Sequence, residues 1–122
     1  MRVTVHFDSF DRLDPCAYAI VWIDTASGKW SREGHAGLAM PRWGRCGRLP
    51  DGTSLIAGED SHDICAIEGL DLAASDGPFE GEDGRAHWHA RDRAEPIVGH
   101  WRVQCVDASA ADPEESLFAD EA

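Results

Sequence analysis

Polar and apolar residues alternate from the start of the chain. Val3, Val5 and Phe7 interleave with Thr4 and His6, which predicts a strand over Arg2–Phe7. Asp8 to Pro15 is polar and ends in the breaker Asp14-Pro15. Ala17 to Asp24, AYAIVWID, reads as a second strand, and the turn Thr25-Ala26-Ser27-Gly28 returns it into a third over Lys29–Glu33. Pairing Asp24 with Lys29 sets Ile23 against Trp30 and puts an ion pair at the hairpin mouth. An exposed pair contributes only about 0.5 kcal/mol, but it fixes the register.

The most ordered pattern is RAHWHARDRAEPIVGHWRVQCV, Arg85 to Val106. Both halves alternate, and Glu95-Pro96 interrupts any helix or continuous strand, which predicts a β-hairpin. Pairing Asp92 with Ile97 sets Trp88 opposite Trp101 and His89 opposite His100. Ala86, Trp88, Ala90, Ile97, Gly99, Trp101, Val103 and Cys105 then share one face, the face a sheet buries. A register shifted by one would mix the two faces. Facing indoles would add about 1 kcal/mol beyond burial. The outer face carries His87, His89, Arg91, Val98, His100, Arg102 and Gln104.

The middle of the chain is less regular. Gly34 to Gly52 is rich in glycine, has no usable period and reads as a loop long enough to suggest function. Thr53–Ala57 predicts a short strand. Ile64–Ala74 fits helical spacing through Ile64, Ile67 and Leu70, but Gly69 weakens a helix and the flanking segments are β, so a strand is favoured. Ser75–Gly84 reads as an acidic turn-rich loop. Asp112-Pro113-Glu114-Glu115 has the order of an N-cap, an N1 proline and two first-turn acids, predicting a short helix through Ser116, Leu117 and Phe118. Alone it would be too short to be stable, so it either docks or belongs to a solvated tail.

A chain of 122 residues suffices for one core. The pattern predicts a single mainly β domain over residues 1–106, with α+β left open through at most one or two short helices, and an acidic tail over 107–122. The architecture expected is a small antiparallel sheet or partly open barrel built from hairpins. The first residues alternate where a leader would run apolar, so neither a signal peptide nor a membrane span is expected. A cytoplasmic location follows as the expectation, with Cys16, Cys46, Cys65 and Cys105 as free thiols and Cys105 as a small core residue.

The formal net charge of -12 changes the picture most. Leu49 to Gly84 holds ten acids and no base, while Arg42, Arg45 and Arg48 form a local basic stretch around Trp43. Such a chain repels nucleic acid and anionic membranes and attracts basic proteins. Glu59, Asp60, Asp63, Asp76, Glu80, Glu82 and Asp83 are therefore candidate partner-binding residues. Trp43 and Arg45 join them, since Trp and Arg dominate binding hot spots. The plainer reading makes the acids a solubility device and pairs the arginines with the protein's own carboxylates.

Two constellations could carry other chemistry. His87, His89 and His100 with Arg102 could act as acid, base and anion clamp on a phosphodiester, or be the solvent face of a sheet. His62-x-x-Cys65 has half of a zinc-site spacing, which His87 and His89 could complete only through the fold. The sequence thus predicts an acidic, non-catalytic binding protein, with no cofactor, that blocks a basic nucleic-acid-handling enzyme or nucleoprotein complex. An anti-CRISPR-type inhibitor from a phage or mobile element, or an immunity protein against a nuclease toxin, would have this composition. The competing expectation is a small histidine-dependent hydrolase or nuclease, with or without zinc.

Overall fold

The computed structural model describes residues 1–37, 41–49, 53–58, 64–72, 79–89 and 94–107. Among them run the strands β1 (Arg2–Asp8), β2 (Tyr18–Asp24), β3 (Lys29–Ala36), β4 (Trp43–Arg48), β5 (Ser54–Gly58), β6 (Ile64–Ile67), β7 (Asp83–His89) and β8 (Ile97–Asp107). Each pairs antiparallel with its successor and β8 returns to β1, so of the expected small antiparallel sheet or partly open barrel the structure is the barrel, and it is closed and up-and-down. The described residues contain no helix. The helix expected at Asp112 to Phe118 lies outside them.

The alternation builds a barrel filled by its own side chains. Val3, Val5, Phe7, Ala19, Val21 and Ile23 are fully buried along β1 and β2, and Ile67, Ala86, Trp101 and Val103 belong to the same core, Trp101 and Val103 as ladder neighbours of Phe7 and Val5. Leu70 and Leu72, from the turn after β6, join the same core. Two of the large rings face glycines. Trp30 pairs across the ladder with Gly44 and Trp101 with Gly84. A Cβ on Gly84 would come within 2.8 Å of the Trp101 indole nitrogen, and one on Gly44 within 2.0 Å of the Ala57 carbonyl. Both indoles satisfy their N–H, Trp30 donating to the Ala57 carbonyl at 3.2 Å and Trp101 to the Glu68 carbonyl at 2.9 Å. Phe10, from the β1–β2 loop, lies against Gly99 and sets its edge on Trp88, centroids 6.5 Å apart. The Asp11 N–H donates to the Val98 carbonyl at 2.8 Å and the Val98 N–H to Asp11 Oδ1 at 2.7 Å, holding that loop down.

Several expectations need correction. Strands β7 and β8 pair Trp88 with Ile97 and Arg85 with His100, so neither the two tryptophans nor His89 and His100 face each other. For the described members the buried and outer sets survive because the true register differs by an even step, and Ala90 and Arg91 lie outside the described residues. Cys105 is the exception: a bulge between the partners of Thr4 and Val5 reverses the alternation, turning Cys105 outward and Val106 onto the core. The presumed loop from Gly34 to Gly52 contains the end of β3 and all of β4, whose inner positions are Gly44 and Cys46 and so carry no large apolar residue to signal a strand. The segment from Ile64 starts as the favoured strand but stops at Ile67, where Glu68 and Gly69 turn and Gly69 takes φ 83°. Asp83 and Gly84 open β7 and are not loop.

The β2–β3 register is as predicted, Ile23 opposite Trp30. The Asp24 carboxylate, buried, serves the turn: it accepts the Ser27 N–H at 3.0 Å and lies 3.7 Å from the N-terminal ammonium.

Candidate functional site

Barrel closure assembles a polar lattice on the outer wall of β7, β8 and β1. The ladders set Asp83, Arg102 and His6 in one row and Arg85, His100 and Asp8 in the next. His100 Nδ1 lies 3.7 Å from Asp8 Oδ1, and its Nε2 lies 3.8 Å from Asp83 Oδ2. His6 Nδ1 is 3.4 Å from Arg102 Nη2 and 3.3 Å from Gln104 Nε2, and its ring meets Tyr18 edge-on with centroids 6.0 Å apart. His87 stands apart, its Nδ1 3.3 Å from Glu68 Oε1, and His89 is opposite Ile64 on β6. Of the expected set, His100 and Arg102 are thus brought together, joined by His6, Asp8 and Asp83, while His87 and His89 have other neighbours. Separations of 3.7 to 3.8 Å are ion-pair distances. They exceed the roughly 2.6–3.2 Å over which a general base is hydrogen-bonded.

The described members of the zinc set, Cys65, His87 and His89, do not converge. Cys65 points into the core, where burial pushes its thiol pKa up, while His87 and His89 are on the outside of the wall. His62 lies outside the described residues. Among the described residues no group of three His, Cys, Asp or Glu is gathered as metal ligands.

The acids that begin before β7 are held in place by backbone bonds. The Gly81 N–H donates to the Val103 carbonyl at 3.0 Å, and the Val103 N–H to the Glu82 carbonyl at 2.9 Å. The Glu82 N–H donates to the Phe79 carbonyl at 3.2 Å. This turn fixes Glu80, Glu82 and Asp83, all exposed, along the edge of β8, and beside them leaves Phe79 60% exposed. Phe79 was missed in the sequence because its neighbours make it look like part of a featureless loop. Glu59, Asp60, Asp63 and Asp76 lie outside the described residues.

Trp43 and Arg45 project from the outer side of β4, four strands from β8 around the closed sheet. They belong to the wall opposite Glu80, Glu82 and Asp83, so the candidate partner-binding residues divide into two faces. One arginine of the basic stretch does fold back on a carboxylate, Arg48 on Asp71.

No curated protein and no solved structure matches this chain. Residues 1–120 match the family described as "Protein of unknown function (DUF3564)", and the chain belongs to that family.

Proposed function

We propose that this protein is a non-catalytic, acidic binding module that occupies the basic surface of a nucleic-acid-handling enzyme or nucleoprotein complex in the cytoplasm. One observation carries the reading: an exposed phenylalanine set among three exposed carboxylates on a turn whose backbone is bonded to β8. Carboxylates on a rigid frame attract a basic groove at long range, and the net charge of -12 adds to that field. Phe79 supplies what charge alone lacks, an apolar anchor that fixes the docked position. An inhibitor of a nuclease or of a nucleic-acid-guided defence complex, or an immunity protein, would work in this way.

The experiment is affinity capture from host lysate at low salt, followed by titration with the recovered partner. The expected partner is a basic nucleic-acid enzyme whose affinity falls steeply between about 50 and 500 mM salt, because screening shortens the attraction. Reversing Glu80, Glu82 and Asp83 to Lys should weaken binding about 100-fold at low salt. Phe79→Ala should cost about 2 kcal/mol in binding with little change in salt slope. Affinity independent of salt, or untouched by the triple reversal, refutes the proposal.

A further inference from the structure

The solvated face of an antiparallel sheet ordinarily carries polar residues, and from β4 to β6 this barrel departs from that. The ladders set Arg45, Ala57, Ile64 and His89 in one outer row across β4 to β7, with Gly47, Leu55, Ala66 and His87 in the next. Trp43 stands on the same face of β4, two residues from Arg45. Trp43 is 46% exposed and Ile64 36%, so an apolar strip lies beside a guanidinium. The acids bordering the strip have partners, Glu68 lying 3.3 Å from His87 Nδ1 and Asp71 holding Arg48. Arg45, among the described residues, has no carboxylate within ion-pair distance.

The chain carries a segment that fits this wall. Residues 108–122 hold five acids and no base, and Leu117 and Phe118 are its large apolar side chains. In the helix expected through Asp112 and Phe118, Glu114 stands three and four residues before them, and side chains at those spacings share a face. That face is a carboxylate beside two apolar groups, the complement of Arg45 beside Trp43 and Ile64. The near wall suits it poorly, because β8 ends beside Glu80, whose Oε1 lies 3.5 Å from the Val106 N–H, and Glu82 and Asp83 are exposed there too. Strand β4 is four strands from β8, roughly 19 Å at about 4.8 Å per strand. Extended chain from Asp107 to Asp112 followed by the helix reaches roughly 25 Å, enough to span that distance.

We propose that residues 112–118 of this same chain cover the outer wall of β4 to β6, with Leu117 and Phe118 against Trp43 and Ile64 and Glu114 facing Arg45. The tail then occupies the face that carries Trp43 and Arg45, and the turn that carries Phe79 stays free for a partner.

Acrylamide quenching of the intrinsic fluorescence tests this in the full chain, since Trp22, Trp30, Trp88 and Trp101 are buried and Trp43 is the accessible indole. Leu117→Ala combined with Phe118→Ala should raise the quenching constant about twofold, and a Trp43→Phe background should abolish that difference. Arg45→Glu and Glu114→Arg should each raise it, and the two together should return it to near the parent value, because the swapped pair restores the contact. Far-UV circular dichroism should be the same for every variant, and light scattering should give a monomer throughout. Equal quenching in the parent and the Leu117, Phe118 variant overturns the proposal, because the tail then does not shield Trp43. A charge swap no better than its single changes overturns it too. So does a parent that is dimeric and becomes monomeric when Leu117 and Phe118 are replaced, which would make the cover the tail of a second copy.

Discussion

Gly99→Ala places a methyl group where Phe10 sits. The added Cβ would lie 2.4 Å from Phe10 Cδ1 and 2.6 Å from Cε1, with the Asp8 carbonyl oxygen at 3.1 Å. A ring cannot yield more than an ångström in a packed core, so Phe10, now 5% exposed, must leave its place. Burial of a phenylalanine contributes about 1.5–3 kcal/mol, and its edge contact with Trp88 about 0.5–1.5 kcal/mol more. The expected loss is therefore about 3 kcal/mol. With an m-value of about 1–1.5 kcal/mol/M in urea, the unfolding midpoint should fall by about 2–3 M. Intrinsic fluorescence can follow it, since the chain has five tryptophans. Phe10→Ala alone should cost about as much, because it empties the same site. The double variant should be hardly worse than Phe10→Ala, a coupling of about 2–3 kcal/mol in the cycle. Gly47→Ala is the control, since its Cβ meets nothing within 4 Å. A Gly99→Ala chain as stable as the parent, or strictly additive effects, would refute the plug-and-slot reasoning.

Two further outcomes follow from other groups. Burial alone would raise the Asp24 pKa, but hydrogen bonds from Ser27 and Ala26 and the N-terminal ammonium more than offset it, and the value is lowered. That stabilisation is present above the unfolded value near about 4 and is lost as pH falls through the lower folded value. Asp24→Asn should thus cost about 1 kcal/mol at pH 7 and progressively less in urea melts below about pH 4; a constant difference would count against it. Burial pushes the Cys46 thiol up to about 12 and Cys65 higher still, whereas Cys16 and Cys105 are exposed. Thiol titration of the native protein should find two fast groups, with Cys65 reacting only after unfolding; rapid modification of Cys65 would contradict its place in the core.

How much of this was legible depends on what alternation encodes. A period of two states which face a residue takes, and for β1, β2, β7 and most of β8 it does so correctly. It does not state register, because a slip of two residues leaves every face unchanged. Facing tryptophans looked favourable for that reason. The actual solution sets two of the large rings against glycines, Trp30 on Gly44 and Trp101 on Gly84, and a glycine carries no hydrophobic signal of its own. Strand β4 escaped notice for the same cause. The lattice around His100 was half visible: Arg102 shares its strand, but His6 and Asp8 arrive only when β1 closes on β8, some ninety residues away in sequence. The acids were legible by charge, and Phe79 only once the turn beneath it was placed.

Closure also decides how anything can attach to this molecule. An open sheet offers a partner its unpaired edge, and extended peptides exploit that by adding themselves as one more strand. Here the ladder ends where it began, and the strands already have neighbours on both sides. Among the described residues, β3 beyond Ser31 and β8 beyond Arg102 each run on for five residues without ladder partners on one flank. Elsewhere recognition has to be written in side chains and end turns, where it answers to salt and to single substitutions.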